Sequence, residues 1–308
     1  MNILVTGANG QLAKCLKKIV ESHGNGQPNS VVGEKDYWIF ADKATLDITK
    51  LDDVGNFIKN HFINVVVNCA AYTNVKKAEE SYDAPYAVNA AGAECLAWAC
   101  KLNGAVLIHI STDYVFDGTK GAPYEPSDER NPLNSYGTSK SDGEKLIEQQ
   151  GGKYLIFRTS WLYSQYGYNF VKTIFSQWNE GKNTRVVYDQ IGSPTNANNL
   201  ARFIYRIITD NNCENRYLSK TGIYHYCDAG VASWYDLAQA VYDYLGTYED
   251  KDYVCVTPNR TAENTNVKRP SVSVLDTALT QAEFDEVFIN WRHSLKEVID
   301  ILEHEKES

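Results

Sequence analysis

The chain has 308 residues, of which 43% are hydrophobic and 22% are charged, a balance typical of a globular protein with room for one large domain or two modest ones. Its 39 acidic residues outnumber its 30 basic ones, and a formal charge of −9 without a basic cluster disfavours a nucleic-acid-binding protein. No apolar run approaches the ~20 residues that a membrane-spanning helix needs, so we expect no membrane partner.

The amino end and the cysteines bear on the cellular compartment. Met1–Val5 turns into Thr6-Gly7 before the apolar core of a signal peptide could form. The seven cysteines are odd in number, and no pair has the C-x-x-C spacing, which disfavours a disulfide framework and a thiolate metal site. We therefore expect a cytoplasmic protein, and the residues alone predict no metal site.

Short apolar runs alternate with helical patterns through the first half of the chain. A run that is apolar at every position, rather than at every second one, is typical of a strand covered on both faces. Such strands, separated by amphipathic helices, predict an α/β fold with a parallel, doubly wound sheet and right-handed crossovers. The five runs are Ile3–Thr6, Trp38–Phe40, Val65–Asn68, Val106–Ile110 and Leu155–Arg158.

A glycine-containing turn follows the first run. Gly7 permits a tight turn, Gly10 lets backbone N–H groups approach a pyrophosphate, and the following helix presents its positive end to the anion. Ala13 stands where a third glycine often occurs, so the motif alone is weak, and an ordinary strand-to-helix turn is the alternative. The position of the turn between a strand and a helix favours dinucleotide binding, and with it a Rossmann-type sheet.

The next segments leave the choice of dinucleotide open. Glu21–Asp36 is rich in Gly, Asn and Ser, and we interpret it as a surface insertion before the second strand. Asp42 closes that strand, where an acidic residue would bind the 2′-hydroxyl of an adenosine ribose. Lys43 beside it would instead attract a 2′-phosphate. Asp42 therefore indicates NADH and Lys43 indicates NADPH.

Two later segments carry the candidate chemistry. Thr112 and Asp113 end the fourth apolar run, at the edge of an open α/β sheet where ligands bind. Tyr136 and Lys140 open a helix at positions i and i+4, so they lie on one face of it. An ammonium group one turn away lowers the pKa of a phenol, which makes Tyr136 a candidate acid for a carbonyl oxygen that receives a hydride. Thr112 would give that oxygen a second hydrogen bond.

Beyond Tyr163 the strand–helix alternation weakens and helical patterns dominate. The segments 200–208, 234–245 and 294–302 each place apolar side chains on one helical face. We predict a dinucleotide-binding domain at residues 1–165 and a smaller, mainly substrate-binding α+β lobe at 166–308. Part of 190–222 is expected to return to the first domain.

Four segments give the sequence a family resemblance: Ser111–Gly118 (STDYVFDG), Pro132–Gly137 (PLNSYG), Phe157–Tyr163 (FRTSWLY) and Asp189–Thr195 (DQIGSPT). With the glycine turn and the Tyr-x-x-x-Lys pair, the chain resembles the extended short-chain dehydrogenases/reductases, and within them the dTDP-4-dehydrorhamnose reductases, over essentially its whole length. The resemblance implies reduction of the C4 ketone of dTDP-4-dehydro-L-rhamnose to dTDP-L-rhamnose, with NADPH favoured and NADH as the alternative. It also implies a monomer or homodimer, and some members use Mg²⁺ at a dimer contact.

The resemblance further implies roles for individual residues. Tyr136 is implied as the proton donor, Lys140 as the partner that lowers its pKa, and Thr112 as the hydrogen-bond donor to the carbonyl oxygen. The implied substrate contacts are Thr112, Asp113, Trp161 and Arg269. The implied cofactor contacts are Gly7, Gly10, Gln11, Leu12, Asp42, Asp47, Ile48, Ala70, Ala71 and Tyr72, together with Tyr136 and Lys140.

Several of these residues have a simpler interpretation when the resemblance is set aside. Trp161 follows an apolar strand and is then more often a core residue, and Arg269 is nearly as often a solvent-facing side chain. His109 and His225 lie in apolar segments, and we expect both to be hydrogen-bonded core residues, since neither has a partner at metal-ligand spacing.

Three other functions compete with carbonyl reduction. Nucleotide-sugar dehydratases of this fold usually place Asp-Glu after the threonine, whereas Asp113 is followed here by Tyr114, so elimination of water is disfavoured. Epimerases use the same Tyr–Lys pair and are disfavoured only by the segment Ser111–Gly118. A non-catalytic dinucleotide-binding subunit resembling the β subunit of methionine adenosyltransferase also remains, although intact Thr112, Tyr136 and Lys140 favour an enzyme.

Overall fold

Strands and helices alternate from the amino end of the chain. The computed structural model describes residues 1–24, 36–210, 216–246, 255–262 and 267–307, so most of the predicted surface insertion lies outside the described residues. Up to residue 159 the elements are β1 (Asn2–Thr6), α1 (Gln11–Ser22), β2 (Tyr37–Ala41), α2 (Leu51–Asn60), β3 (Val65–Asn68), α3 (Val75–Ala78), α4 (Asp83–Tyr86), a π-helical turn (Ala87–Ala91), α5 (Gly92–Asn103), β4 (Val106–Thr112), a 3₁₀ turn (Asp113–Val115), α6 (Ser135–Gln150) and β5 (Lys153–Thr159).

The second half of the chain has shorter strands and longer connections. Its elements are β6 (Leu162–Tyr163), α7 (Phe170–Asn179), β7 (Thr184–Val187), β8 (Ile191–Gly192), β9 (Thr195–Asn196), α8 (Ala197–Thr209), β10 (Gly222–His225), β11 (Ala232–Ser233), α9 (Trp234–Tyr244), β12 (Val256–Asn259), α10 (Ala278–Phe284) and α11 (Trp291–Glu307).

The central sheet has six strands in the order β10-β5-β4-β3-β1-β2, and every neighbouring pair is parallel. The predicted Rossmann-type sheet is therefore confirmed, and all five apolar runs are strands of it. The sixth strand, β10, comes from the second half of the chain and was not predicted. The strand order reverses at β1, between β2 and β3, and ligands of open α/β sheets bind outside the carboxyl ends of the strands at such a point.

The continuous apolar runs are explained by helices on both faces of this sheet. Ile3 and Val5 are fully buried against the layer that contains α1 and α8, whereas Leu4 between them is fully buried under α2 and α5. A strand with both faces covered has no solvent side to require polar residues. Each Å² of apolar surface that is removed from water between the sheet and its helices stabilises the fold by about 25 cal/mol.

A separate apolar cluster lies in the second half of the chain. It joins α7, α9 and α11 to β7 and β12, with Leu237, Val241 and Leu295 at most 1% exposed. Among the described residues, no helix is long and apolar enough to cross a membrane.

Candidate active site

The turn after β1 approaches β3 so closely that it requires glycine. Gly7 has a φ of +67°, and a Cβ built there would lie 2.7 Å from the backbone nitrogen of Ala70. Gly10, the N-cap of α1, donates its N–H to the Gly7 carbonyl oxygen at 2.8 Å and has no side chain to cap the helix. The first N–H groups of α1 therefore face the carboxyl edge of the sheet, an arrangement that fits the pyrophosphate of a dinucleotide.

Gln11 and Leu12 line the cleft beside this turn. The Gln11 side chain also joins the two halves of the chain, because its Oε1 accepts hydrogen bonds from Ser164 Oγ at 3.0 Å and from Asn169 Nδ2 at 2.9 Å. Leu12 is 4% exposed and packs in the core beneath α1. The glycine turn is thus held in place from the second half of the chain.

The acidic residues after β2 are held by local hydrogen bonds. Asp42 Oδ1 accepts from Thr45 N and Thr45 Oγ1 at 2.9 and 2.8 Å, and these bonds lower the pKa of the Asp42 carboxyl. Asn9 Nδ2 contacts the other carboxylate oxygen of Asp42 at 3.3 Å. Lys43 next to it is exposed. Asp42 is therefore anchored beside the glycine turn, with an exposed cationic side chain as its neighbour.

Asp47 and Ile48 lie on the next part of the same connection. Asp47 Oδ1 accepts from Thr49 N at 3.1 Å and from Thr49 Oγ1 at 2.8 Å. Ile48 is 5% exposed and contacts α5, where a Cβ on Gly92 would lie 2.9 Å from its Cδ1. Asp42, Asp47 and Ile48 are not among the described residues that line the cleft.

The segment after β3 is fixed by a single asparagine. Asn89 Oδ1 accepts from Tyr72 N at 2.8 Å, and its Nδ2 donates to the Tyr72 carbonyl oxygen at 3.0 Å. The same Nδ2 contacts Ser139 Oγ on α6 at 2.9 Å. Ala71 lines the cleft next to this anchor. Asn89 therefore connects the predicted cofactor segment Ala70–Tyr72 to the helix that carries Tyr136.

A cleft of about 800 Å³ lies at the carboxyl edge of the sheet. It brings together residues that are far apart in the sequence, since Gly10, Thr112, Tyr136, Lys140, Trp161 and Arg269 all line it. Its volume falls within the ~300–1,000 Å³ range of small-molecule and cofactor sites. Most of the sequence-predicted site residues therefore converge on one concave surface.

Thr112 and Tyr136 both line the cleft. Burial raises the pKa of Tyr136, and the nearby Thr112 hydroxyl opposes that rise only in part. The Tyr114 ring packs edge-on against the Tyr136 ring, with centroids 5.7 Å apart. The phenol is therefore in its neutral form at neutral pH, which is the form that can donate a proton.

The Lys140 amine is turned toward β4 rather than toward Tyr136. Its Nζ donates to the Ile110 carbonyl oxygen at 2.6 Å and lies 3.2 Å from His109 Nε2. Burial lowers the pKa of Lys140 to about 8. That Lys140 lowers the pKa of Tyr136 stays a prediction, and it requires the amine to turn away from β4.

Asp113 is buried below the cleft rather than on its surface. It is 1% exposed, and its two carboxylate oxygens accept from Ser273 Oγ at 2.5 Å and from Thr112 Oγ1 at 3.1 Å. Burial raises the pKa of Asp113 to about 7. In this arrangement the Asp113 carboxylate contacts Thr112, and it is not among the described residues that line the cleft.

Trp161 and Trp234 stack face to face, with ring centroids 3.7 Å apart and planes 8° from parallel. Trp161 has a φ of +50°, a sparsely populated conformation for a residue with a Cβ. A Cβ on Gly192 would lie 2.7 Å from the Trp161 ring, so a glycine is required there. The pair forms an aromatic wall of the cleft, with exposed Arg269 elsewhere on its lining.

Sequence reasoning missed three residues of this region. Trp234 was assigned to the buried face of a helix, and no local pattern indicates that it stacks on a residue 73 positions away. Phe170 packs edge-on against Trp234 with centroids 4.6 Å apart. Glu144 lies one helical turn after Lys140 and is fully buried in an ion pair with Arg158, and this i+4 spacing was the only available signal.

The expectation for the two buried histidines is confirmed. His109 and His225 are both 0% exposed and hydrogen-bonded. Within the part of the chain that the structure describes, no group of three or more His, Cys, Asp or Glu side chains could hold a metal ion.

Comparison with known proteins agrees with this geometry. The model of the family described as RmlD substrate binding domain matches residues 1–304. A dTDP-4-dehydrorhamnose reductase from Aggregatibacter actinomycetemcomitans is 36% identical over 302 residues, which cover 96% of this chain and 97% of that protein.

Solved structures give the same result. A dTDP-4-dehydrorhamnose reductase from Clostridium acetobutylicum superposes with a TM-score of 0.85 at 38% identity, covering 98% of this chain and 100% of that one. One from Bacillus anthracis, in complex with NADP, superposes with a TM-score of 0.85 at 34% identity, covering 97% and 99%. The chain therefore belongs to the RmlD substrate-binding-domain family, together with the dTDP-4-dehydrorhamnose reductases.

Proposed function

We propose that the protein reduces the C4 ketone of dTDP-4-dehydro-L-rhamnose to give dTDP-L-rhamnose, with NADPH as the preferred reductant. The observation that carries this proposal is that Thr112 and Tyr136 line the same cleft as the glycine turn. Two hydroxyl groups facing one cleft are what a carbonyl oxygen needs when it becomes an alkoxide. The names of the full-length relatives supply the sugar.

The residues around the glycine turn fit a dinucleotide. Gly7 and Gly10 leave room for the pyrophosphate, and Ala70–Tyr72 would lie along the cofactor from the neighbouring strand. When bound, the reduced nicotinamide supplies a hydride to the ketone carbon. The Bacillus anthracis relative was solved with NADP, which supports the phosphorylated cofactor.

Preference for NADPH is supported by the surroundings of Asp42. Its Oδ1 is already used by two hydrogen bonds from Thr45, and its Oδ2 by Asn9. A carboxylate that already accepts these hydrogen bonds binds a ribose hydroxyl less strongly. Exposed Lys43, in contrast, offers a positive charge to a 2′-phosphate. We therefore propose that NADH is accepted more weakly than NADPH.

Tyr136 is the proposed proton donor. Its pKa is raised by burial, so the phenol holds its proton until negative charge develops on the substrate oxygen. The single Thr112 hydroxyl hydrogen is donated to Asp113 Oδ1 in this structure, so Thr112 would give the substrate oxygen a second hydrogen bond by turning that hydrogen away from Asp113. Asp113 would thus act through Thr112.

The remaining wall of the cleft would hold the nucleotide sugar. The flat faces of Trp161 and Trp234 suit a sugar or base ring, and Arg269 offers a cation to the diphosphate. We further infer that residues 1–165 bind mainly the dinucleotide and 166–308 mainly the substrate. The second apolar core supports this division, while α8, which packs against α1, supports the return of part of 190–222.

Substrate-dependent oxidation of NADPH tests this function. The purified protein is incubated with dTDP-4-dehydro-L-rhamnose and NADPH that carries two deuterium atoms at C4 of the nicotinamide, so that either face transfers the label. We expect dTDP-L-rhamnose with deuterium at C4 of the sugar, identified by NMR. Oxidation without deuterium in the sugar, or no turnover with this substrate, would contradict the proposal and favour a binding subunit or another nucleotide sugar.

A further inference from the structure

A chain of buried hydrogen bonds runs from the glycine turn to Lys140. Thr6 Oγ1 donates to Asn68 Oδ1 at 2.7 Å, and Asn68 Nδ2 lies 3.0 Å from His109 Nδ1. On the other side of the imidazole, His109 Nε2 lies 3.2 Å from Lys140 Nζ. All four side chains are at most 2% exposed. Thr6, Asn68 and His109 lie behind the cleft lining, so each of their hydrogens must meet a lone pair within the protein.

The backbone of Ala70 fixes the direction of these bonds. Its N–H lies 3.2 Å from Asn68 Oδ1, and a main-chain N–H is a donor in every protonation state. Asn68 therefore presents its amide nitrogen, which carries only hydrogens, to His109. His109 Nδ1 must then hold a lone pair. A neutral imidazole with its lone pair on Nδ1 carries its proton on Nε2.

This tautomer of His109 determines the protonation state of Lys140. The His109 Nε2–H group points at Lys140 Nζ, and an ammonium group has no lone pair to accept it. A neutral amine can accept that hydrogen and still donate to the Ile110 carbonyl oxygen, 2.6 Å away. The hydrogen bonds of this cluster are therefore all satisfied only when Lys140 is uncharged.

We propose that His109 is a positioning residue that holds Lys140 as a neutral amine in the free protein at alkaline pH, and that Lys140 takes up a proton from solvent when a dinucleotide binds there. The inference rests on the proposed function for the identity of that ligand. The pyrophosphate brings negative charge into the cleft, which stabilises the ammonium form of Lys140. Once charged, Lys140 must turn away from His109 Nε2–H, toward Tyr136 and the acceptors of the ligand.

The groups that face Lys140 agree with a neutral amine. From β4, His109 has a pKa that burial lowers well below its usual range, so its ring is uncharged. From the segment after β3, Cys69 has a pKa that burial raises to about 12, so it is a neutral thiol. From α6, Glu144 favours the ammonium, but Arg158 and Arg130 pair with its carboxylate.

The balance of these groups sets the pH range of the effect. Burial outweighs the attraction of Glu144 and lowers the pKa of Lys140 to about 8. Lys140 is therefore neutral and bound to His109 above that pH, and binding of a dinucleotide there requires a proton. The dissociation constant for NADPH should then rise by about tenfold for each pH unit above 8, until the pKa of the bound state is reached.

The tautomer of His109 in the free protein is the first test. The six histidines are labelled with ¹⁵N, long-range ¹H–¹⁵N correlation spectra are recorded at pH 9, and His109→Gln identifies the signals of that ring. We expect a neutral ring protonated on Nε2. A ring protonated on Nδ1, or on both nitrogens, would overturn the proposal.

Asn68→Asp is the matched variant for the second test. An aspartate of the same size has no hydrogen on its side chain, so it accepts from His109 Nδ1–H and leaves the Nε2 lone pair for an ammonium. Proton uptake is measured by titration calorimetry of NADPH binding at pH 9, in two buffers of different ionisation enthalpy. We expect uptake of nearly one proton by the wild type and almost none by Asn68→Asp.

Equal proton uptake in both proteins, or the same pH dependence of NADPH affinity, would overturn the proposal. If Asn68→Asp does not fold, the tautomer of the wild-type ring decides. Neither test uses the keto sugar. A protein that fails to reduce that sugar but shows the Nε2–H tautomer refutes the proposed reaction alone, and an active protein with the other tautomer refutes this inference alone.

Discussion

The guanidinium of Arg158 on β5 holds the carboxylate of Glu144 on α6, with Nη2 2.7 Å from Oε2 and neither side chain more than 1% exposed. Ser111 Oγ at 2.5 Å and Arg130 Nη1 at 3.2 Å complete the partners of the carboxylate. Glu144 therefore joins α6 to the ends of β4 and β5. Tyr136 and Lys140 lie on the preceding turns of the same helix. The Glu144–Arg158 ion pair therefore helps to position both side chains relative to the sheet.

Glu144→Gln should destabilise the fold by about 3–5 kcal/mol, because it leaves the Arg158 guanidinium buried without a counter-charge. The measurement is the free energy of unfolding by urea. Glu148→Gln is the matched control: Glu148 pairs with Arg130 from the next turn of α6 but is 34% exposed. Its loss should stay below about 1 kcal/mol. If the two variants lost similar amounts of unfolding free energy, the buried Glu144–Arg158 pair would be no more stabilising than the exposed Glu148–Arg130 pair.

A comparison of Gly7→Ala with Gly104→Ala separates the energetic cost of backbone strain from the cost of a steric clash between Cβ and a neighbouring segment. The two glycines have φ values of +67° and +68°, but a Cβ meets the Ala70 backbone at Gly7 and nothing within 4 Å at Gly104. Gly104→Ala should therefore cost only the left-handed conformation, roughly 1–2 kcal/mol. Gly7→Ala should cost about 1–3 kcal/mol more through overpacking and should weaken NADPH binding. Equal unfolding free energies for both variants would contradict this reading of the turn.

The sheet could be predicted from the sequence because burial on both faces is a property of each strand. Ile3, Leu4 and Val5 carry that signal without reference to distant residues. The orientation of Lys140 could not be predicted in the same way. Its spacing from Tyr136 defines a helical face, but a histidine and a carbonyl oxygen on β4 compete for its amine.

The walls of the cleft were predictable only through family resemblance. Trp161 and Trp234 stack on each other although 73 positions separate them in the chain, and neither neighbouring sequence shows this. For Asp113 the sequence predicts a cleft residue that the structure buries. Its position beside Thr112 predicts contact with the substrate, whereas Ser273, 160 positions later in the chain, binds its carboxylate below the cleft surface.

Asp113 and Asp117 should contribute to the pH dependence of stability with opposite signs. Burial raises the pKa of Asp113 to about 7, above the ~3.9 of an unfolded chain. The unfolded state then loses its proton first, so the contribution of Asp113 to stability falls as the pH rises from about 4 to about 7 and is level above. Buried Asp228 acts in the same direction, and the buried histidines His109 and His225, whose pKa values are lowered, act in the opposite one. Asp113→Asn should therefore make the slope of stability against pH more positive across this range, which thermal unfolding midpoints would show. An unchanged slope would contradict the raised pKa.

Asp117 provides the contrast. The Tyr124 hydroxyl, with further bonds from Thr119, lowers the pKa of Asp117 to about 2. Its stabilising contribution is then present above about pH 4 and is lost as the pH falls from about 4 toward 2. Asp117→Asn should therefore flatten the acid limb of the stability profile and leave the slope between pH 4 and 7 intact. A change in the slope of stability against pH between about pH 4 and 7 in Asp117→Asn would contradict the assignment of part of that slope to Asp113.

Lys43→Ala should weaken the binding of NADPH more than that of NADH. A single exposed charge near a 2′-phosphate is worth about 1 kcal/mol, or about fivefold in the dissociation constant. Fluorescence titration with both cofactors measures the difference. Lys17→Ala removes an equally exposed positive charge from α1 and serves as the control. Equal losses for the two cofactors in Lys43→Ala would mean that Lys43 does not contact the 2′-phosphate.

The turnover of Tyr136→Phe with dTDP-4-dehydro-L-rhamnose and NADPH tests the central claim most directly. Phenylalanine keeps the ring against Tyr114 and removes only the hydroxyl that would donate the proton. General-acid help is worth roughly 10²–10⁴-fold, so kcat should fall by about that factor while the dissociation constant for NADPH changes little. A Tyr136→Phe enzyme that kept nearly full turnover would require another proton donor and would contradict the assignment of this site.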